Sequence, residues 1–444
     1  MKLNILVLHK LGCPRLQRKC LTELVFFLRK NQPNHNYLYH DVTFPFPAPL
    51  MELEFDAIIL DVTLLALRWG NPRKFQKIKE KYQFIADSTA LKIAFPQDEY
   101  DCSALLDRWM CDWGIDYVFS VLSSGLDLIY PSFSNKGTIK LAYTGYVDES
   151  LLDYPLKSFD RRNIDIGYRA RKLLPYFGEI GETKWKIAHE ISSKLKGMNL
   201  NCNISCLESD QFNGVDWYEF INDCKFTLGS NSGSSVIDPD GSLRMCVISH
   251  LNKFPNSSFQ EVKKICYNEN SDVHDFTALS PRNIECAILE SGQILIEGEY
   301  SNLLKPWEHY IPLRNDASNL DEVLNAINEN GEVLAMIKRC KEAILDHQEL
   351  RFSNMAKNII QLVQDSQKTS KIRQSSKILD FNNINNYNIR LNNTSSFVFR
   401  MKNFRDTSKK IPVLGVIIKL LFSSIFIKLT ISSLRILGFP FSKY

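Results

Sequence analysis

The 444-residue sequence predicts an α/β protein of two doubly wound, Rossmann-like units facing a cleft, with a helical extension and an apolar tail behind them. Three observations carry that reading. The length exceeds one ordinary core, at roughly 150 residues per domain. Short apolar runs alternate with helical patterns from the N-terminus to about residue 150, which implies βα units and a parallel sheet covered on both faces. The same alternation then starts again near residue 163.

In the first unit, taken as residues 1–155, the strands are "LNILVLH" (3–9), "FDAIILDV" (55–62), "LKIAFP" (91–96), "DYVFSVL" (116–122) and "IKLAYTG" (139–145). A loop with Gly12 and Pro14 leads from the first of them to a helical pattern over 16–28. The second unit, 156–365, opens on "NIDIGYRAR" (163–171), a strand with a glycine-containing loop and a helix over about 182–196. "NLNCNIS", "CKFTLGS", "MCVISHL" and "QILIEGE" read as its further strands, and 215–222, 259–267 and 281–290 as helices. Ser318, with Asp321 three residues on, caps a helix that Asn330-Gly331 ends, and another helical pattern runs over 333–363.

Residues 366–410 are rich in Ser, Asn, Lys and Gln, include "NNINNYN", and read as a linker. The apolar stretch 411–439 is interrupted by Lys419, Lys428 and Arg435, before the roughly 20 apolar residues that a spanning helix needs. With Lys402, Arg405, Lys409 and Lys410 upstream, the tail 411–444 is expected to lie on a membrane surface; a core or oligomerisation helix is the plainer alternative.

Composition narrows the chemistry. Hydrophobic residues at 44% and charged residues at 23% are those of a globular chain, so any disorder is local. A net charge of +4 makes no demand for nucleic acid, and none is expected as a partner. Eleven cysteines contain no CxxC pair, and Cys202 and Cys206 have no histidine nearby; reduced thiols and no metal centre are expected. "MKLNILVLH" has no signal-peptide pattern, so a cytoplasmic body is expected, and with the membrane-seeking tail a location at the inner face of the cell membrane.

Candidate sites belong at strand C-termini, where doubly wound sheets hold ligands. Where "LKIAFP" ends, "FPQDEY" sets Asp98 and Glu99 on the rim, as a candidate acceptor-side base or an acidic capping loop. Arg169 and Arg171 follow the first strand of the second unit, and Gly178 and Gly181 lie ahead of a helix that could receive a phosphate. No G-x-x-x-x-G-K-[ST] pattern is present. "GSNSGSSVIDPDGS" (229–242) offers Asp238 and Asp240 to a metal, but D-P-D-G is equally good turn chemistry, and the turn is favoured. In "SPRNIECAILESGQILIEGEYS" (280–301), Arg282 and Glu285 fall on the first turn of a helix leading into a buried strand, an arrangement that suits a ligand at the helix N-terminus.

The stretch 280–326, with "NIDIGYRAR", "FGEIGETKWKIA", "WYEFINDCKFTLGSNSGSSVIDPDG" and "FPQDEY", resembles bacterial GT-B glycosyltransferases. The similar groups are the spore-maturation-protein-like one and, more distantly, glycosyltransferase family 4 of surface-polysaccharide synthesis. The resemblance spans about 55–350. It implies a nucleotide-sugar donor such as a UDP- or GDP-sugar, no cofactor or metal, and a glycan or lipid-linked acceptor. It implies Arg282 near the diphosphate and Glu285 near the ribose or sugar hydroxyls, with Arg169, Gly178, Gly181 and Ser280 also on the donor and Asp275, Glu299 and His309 as further candidates. Family 4 enzymes carry two glutamates separated by seven residues. With Glu285 as the second, Thr277 stands at the first, a departure that bears on the retaining outcome the family implies. A noncatalytic assembly protein and a nucleotide-sugar epimerase are the alternative classes.

Overall fold

The computed structural model describes residues 2–12, 17, 19–44, 46, 53–212, 214–268 and 271–369. The tail 411–444 and nearly all of the expected linker lie outside the described residues.

The first unit is a six-stranded, all-parallel sheet in the order β2-β1-β3-β4-β5-β6. Its strands are β1 (Asn4–His9), β2 (Asn36–Asp41), β3 (Ala57–Leu60), β4 (Leu91–Ala94), β5 (Tyr117–Ser120) and β6 (Thr138–Leu141). Strand β1 is apolar and buried along nearly its whole length because both faces of the sheet are covered. Ile5 and Val7 face one core and Leu6 and Leu8 the other. Strand β2, "NYLYHD", is absent from the sequence expectation because tyrosine and histidine break up its apolar run.

The second unit is a five-stranded parallel sheet, β13-β12-β9-β7-β8. It comprises β7 (Ile164–Arg169), β8 (Cys202–Ser205), β9 (Cys224–Gly229), β12 (Gly292–Ile296) and β13 (Ile311–Leu313). A separate antiparallel pair, β10 (Ser232–Val236) and β11 (Asp272–Ala278), carries Phe276 into the core of the first unit. Together the sheets make the two doubly wound, Rossmann-like units expected from the sequence.

Some elements differ from expectation. "MCVISHL" is part of the helix Ser242–Lys253, not a strand. It buries Val247 and leaves Met245 and Ile248 exposed, a one-sided pattern that a short apolar run conceals. The D-P-D-G segment starts this helix as a turn: Asp238 accepts from the N–H groups of Gly241 and Arg244, and Gly241 sits at φ 83°. The helix Leu320–Ile327 has Asn319, not Ser318, before it, and Asn330 begins the helix Asn330–Asp346 instead of ending the previous one. A disulfide joins Cys246 to Cys266, where reduced thiols were expected; the neighbouring helices Ser242–Lys253 and Phe259–Cys266 bring together two cysteines 20 apart in sequence.

The last described helix, Phe352–Thr369, packs back on the helix Lys19–Asn31 of the first unit. Phe352 stacks on Phe27 and Tyr146, with ring centroids 5.5 and 4.4 Å apart. The same apolar layer includes Ile284, Ala287 and Leu295 of the second unit, so the units share a core. At their junction the Thr144 hydroxyl donates to the Leu279 carbonyl. Gly145 lies so close to Pro281 that a Cβ would stand 2.7 Å from the proline Cβ. Glycine here lets the first unit seat against the start of the helix Pro281–Ile288.

Candidate functional site

A cavity of about 330 Å³ opens beyond the C-terminal ends of β7 and β9. These neighbours flank the point where strand order reverses, since the chain runs from β7 out to β8 and later from β9 out to β12 and β13. The wall combines Tyr168–Arg171, Ser230 and Ser232 at the strand ends with Lys184, Gln211, Phe212, Gly214, Trp217 and Tyr218, the start of the helix Pro281–Ile288, and Lys19 and Cys20 of the first unit. Among the described residues, five basic side chains line it (Lys19, Arg169, Arg171, Lys184 and Arg282), and Glu285 is the one acid. An annex of about 20 Å³ shares Lys19, Pro281 and Glu285 and adds Glu23, Thr144 and Asp148 of the first unit.

Arg282 is built into this wall. One Nη donates to the backbone carbonyl of Arg169, and the guanidinium lies 5.0 Å from the Tyr168 ring centre and 5.4 Å from that of Trp217. Its Nε is buried and has no hydrogen-bond partner. Ser280 takes the N-cap backbone conformation, but its hydroxyl makes no capping bond, and Pro281 brings no N–H. The positive end of the helix and an incompletely bonded guanidinium therefore meet at one place, which suits an anion with several acceptor oxygens.

Glu285, one turn on, is half-buried and accepts a 2.8 Å hydrogen bond from the indole N–H of Trp217. Its carboxyl is pushed up to about 7, above all by desolvation, with the Trp217 bond and the Arg282 charge pulling the other way. Lys19 pairs with Asp148 and donates to the Ser150 hydroxyl at 3.1 Å.

Of the residues singled out in the sequence, the fold brings Arg169, Arg171, Ser280, Arg282 and Glu285 together in the cavity wall. Arg169 is committed to that wall. Its guanidinium donates to the carbonyls of Asp210, Tyr168 and Asn203 at 2.8–2.9 Å and to the Asn203 side chain at 2.6 Å, and packs on Phe212 and Phe220. Gly178 and Gly181 lie outside the wall, in the first turn of the helix Gly178–Lys194. There the Glu179 N–H goes to Asp272 and the Ile180 N–H to the Ser235 hydroxyl, so both donors are spoken for.

The remaining candidates also lie elsewhere. Glu99 is fully enclosed: its carboxyl accepts from the Ser120 hydroxyl and the Val121 N–H, both at 2.9 Å, and from the Tyr130 hydroxyl. Asp98 sits at φ 46° and accepts from the Tyr100 hydroxyl at 2.7 Å. Neither lines the cavity, so their placement lends no support to an acceptor-side base. Asp275 is exposed on β11, Glu299 accepts from the Asn302 N–H, and buried His309 accepts from the Lys305 N–H at 3.1 Å. Thr277 pairs with Gly233 across the β10–β11 ladder.

Lys19, Tyr168, Lys184 and Trp217 are wall residues with no expectation from the sequence. Trp217 carries one sequence signal, a large aromatic at the start of the short helix Val215–Asp223.

No family model matches the chain, and no curated protein does either. Among solved structures it is similar to Anabaena HepE in complex with UDP-glucose, at 9% identity over 82% of this chain and 100% of that one, with a TM-score of 0.42. It is also similar to an α-glucosyltransferase in complex with UDP and a 13-mer DNA (10% identity, 82% and 100% coverage, TM-score 0.46). A third is the T4 phage BGT in complex with its UDP-glucose substrate (10% identity, 81% and 99% coverage, TM-score 0.45).

Proposed function

We propose that this chain is a glycosyltransferase that takes a sugar from a nucleotide-sugar donor bound in the cavity and places it on a glycan or lipid-linked acceptor of cell-surface polysaccharide synthesis. The observation that carries the reading is Arg282, stacked, buried at Nε without a partner, and set at an uncapped helix N-terminus inside a predominantly basic cavity. As the acceptor hydroxyl attacks the anomeric carbon, the bond from that carbon to the diphosphate oxygen breaks, negative charge grows on the leaving group, and the hydroxyl proton passes to the departing diphosphate. Arg282 and the helix end stabilise that charge, while Glu285 holds ribose or sugar hydroxyls. No divalent metal is needed in this scheme, and the outcome is assigned as retaining. The acceptor approaches from the side of the first unit, whose Lys19 and Cys20 line the cavity.

The chain sits at the inner face of the membrane, held by its tail. Deleting 411–444 is expected to abolish co-flotation with anionic liposomes. Unchanged flotation removes the tail from the account.

The test of function is incubation with UDP-, GDP- and ADP-sugars, with and without a membrane lipid extract. Acceptor-dependent release of one nucleoside diphosphate is the expected result. Interconversion of the free donor without acceptor would instead mark an epimerase, and a folded protein that neither binds nor turns over any donor would mark a noncatalytic assembly protein.

A further inference from the structure

The helix Val215–Asp223 contributes a side chain that touches both groups assigned to the donor. Trp217 uses the two parts of its indole for different purposes. The ring lies 5.4 Å from the Arg282 guanidinium, which Tyr168 flanks at 5.0 Å, and Phe220 backs the ring at 5.9 Å. The N–H donates to Glu285 Oε2 at 2.8 Å. Arg282 and Glu285 are one helical turn apart, yet no hydrogen bond or ion pair joins them directly among the described residues. The tryptophan makes the contact that each shares.

We propose that Trp217 is a positioning residue that ties Arg282 and Glu285 into one unit, its ring fixing the guanidinium over the diphosphate position and its N–H fixing the Glu285 carboxylate. Ring and N–H are separable, because phenylalanine keeps a stacking face and has no donor. A charged carboxylate takes the indole bond more strongly than a neutral acid, so the link is set by the protonation of Glu285. The groups around Glu285 are Arg282 on its own helix, Trp217 and Tyr218 on the helix Val215–Asp223, Lys19 and Glu23 on the helix Lys19–Asn31, and Asp148 after β6. With the donor removed, the carboxyl holds its proton to higher pH. This inference rests on the nucleotide reading of the cavity for its consequence, but its geometry can be tested without any ligand.

The experiment uses the full chain labelled with ¹⁵N-tryptophan, which gives six indole signals for its six tryptophans. The Trp217 signal is the one missing in W217F. It is expected to titrate with a midpoint near neutrality and to stop titrating in E285Q; a signal that ignores both pH and E285Q overturns the link. Calorimetric nucleotide binding then reads the consequence. W217F is expected to bind within about threefold of wild type at pH 8, with its acid limb moved up by about one pH unit. W217L, which lacks the ring as well, is expected to lose about tenfold or more, so that phenylalanine rescues what leucine loses. Equal affinity and pH profile in wild type, W217F and W217L overturns the proposal. Indole coupling in a wild-type protein that binds no nucleotide upholds the link and instead overturns the donor reading.

Discussion

Glu99 and Glu285 are alike in one respect and opposite in the rest. Burial pushes each carboxyl up to about 7. Glu99, in the first unit, is wholly inside, surrounded by three donors that leave it no open side. Buried Arg68 stands behind it, donating to the carbonyls of Gln97, Asp98 and Asp101 and so fixing the loop. Glu285, in the second unit, spends one oxygen on Trp217 and lies in the walls of both the cavity and its annex. A perturbed acid therefore marks a site only when it also faces space and groups that a ligand could use. Without that company it marks packing.

The largest effect that would test this contrast is on stability. Glu99→Ala leaves the hydroxyls of Ser120 and Tyr130 and the Val121 N–H unsatisfied in the interior, and is expected to cost about 3 kcal/mol or more by chemical denaturation. Glu285→Ala is expected to lose less than about 1 kcal/mol by the same measurement, because its surroundings open to the cavity. A large loss in Glu285→Ala would erase the distinction. The next effect is on binding: Glu285→Ala is expected to weaken nucleotide affinity about tenfold, which corresponds to about 1.4 kcal/mol. The conservative Glu99→Gln is expected to leave that affinity unchanged.

pH sharpens the comparison further. Between the ordinary carboxyl value of 4.5 and about 7, folded Glu99 keeps a proton that the unfolded chain has released. Its contribution to stability is therefore complete below that window and is lost as pH rises through it. Thermal unfolding of wild type should fall between pH 5 and 7 by on the order of 1–3 kcal/mol more than that of Glu99→Gln. Parallel curves for the two proteins would contradict the assignment. The smallest expected effect is that of EDTA, which should change nucleotide affinity by less than about twofold if cations of the chain rather than a metal hold the diphosphate. A large loss would bring a divalent ion into the site.

What could be read in the sequence follows from how each feature is encoded. Parallel strands buried on both faces are continuous apolar runs, so β1, β3, β4, β5, β7, β9 and β12 were legible one by one. Strand β2 is hidden by its tyrosines and histidine, and part of the helix Ser242–Lys253 reads as a strand because seven apolar-rich residues fit either period. The pair β10 and β11 is separated by two helices, and nothing local announces that pairing. In the cavity wall, Ser280, Arg282 and Glu285 are legible together because a helix start is a local signal. Lys19, Tyr168, Lys184 and Trp217 come from four distant segments, and only the closing of two units on a shared core sets them around one cavity. Gly178 and Gly181 show the converse. Their glycine-before-helix pattern suits an anion, but Asp272 and Ser235 already occupy the N–H groups.

The central claim is that Arg282 holds a nucleotide diphosphate, and the most direct test is calorimetric titration of UDP, GDP, ADP and CMP into wild type, Arg282→Ala and Glu99→Gln. One nucleotide is expected to bind wild type and Glu99→Gln alike and to bind Arg282→Ala at least about a hundredfold more weakly, as loss of charge-assisted bonds to a diphosphate requires. Equal affinity in Arg282→Ala, or a folded wild type that binds none of the four, would contradict it.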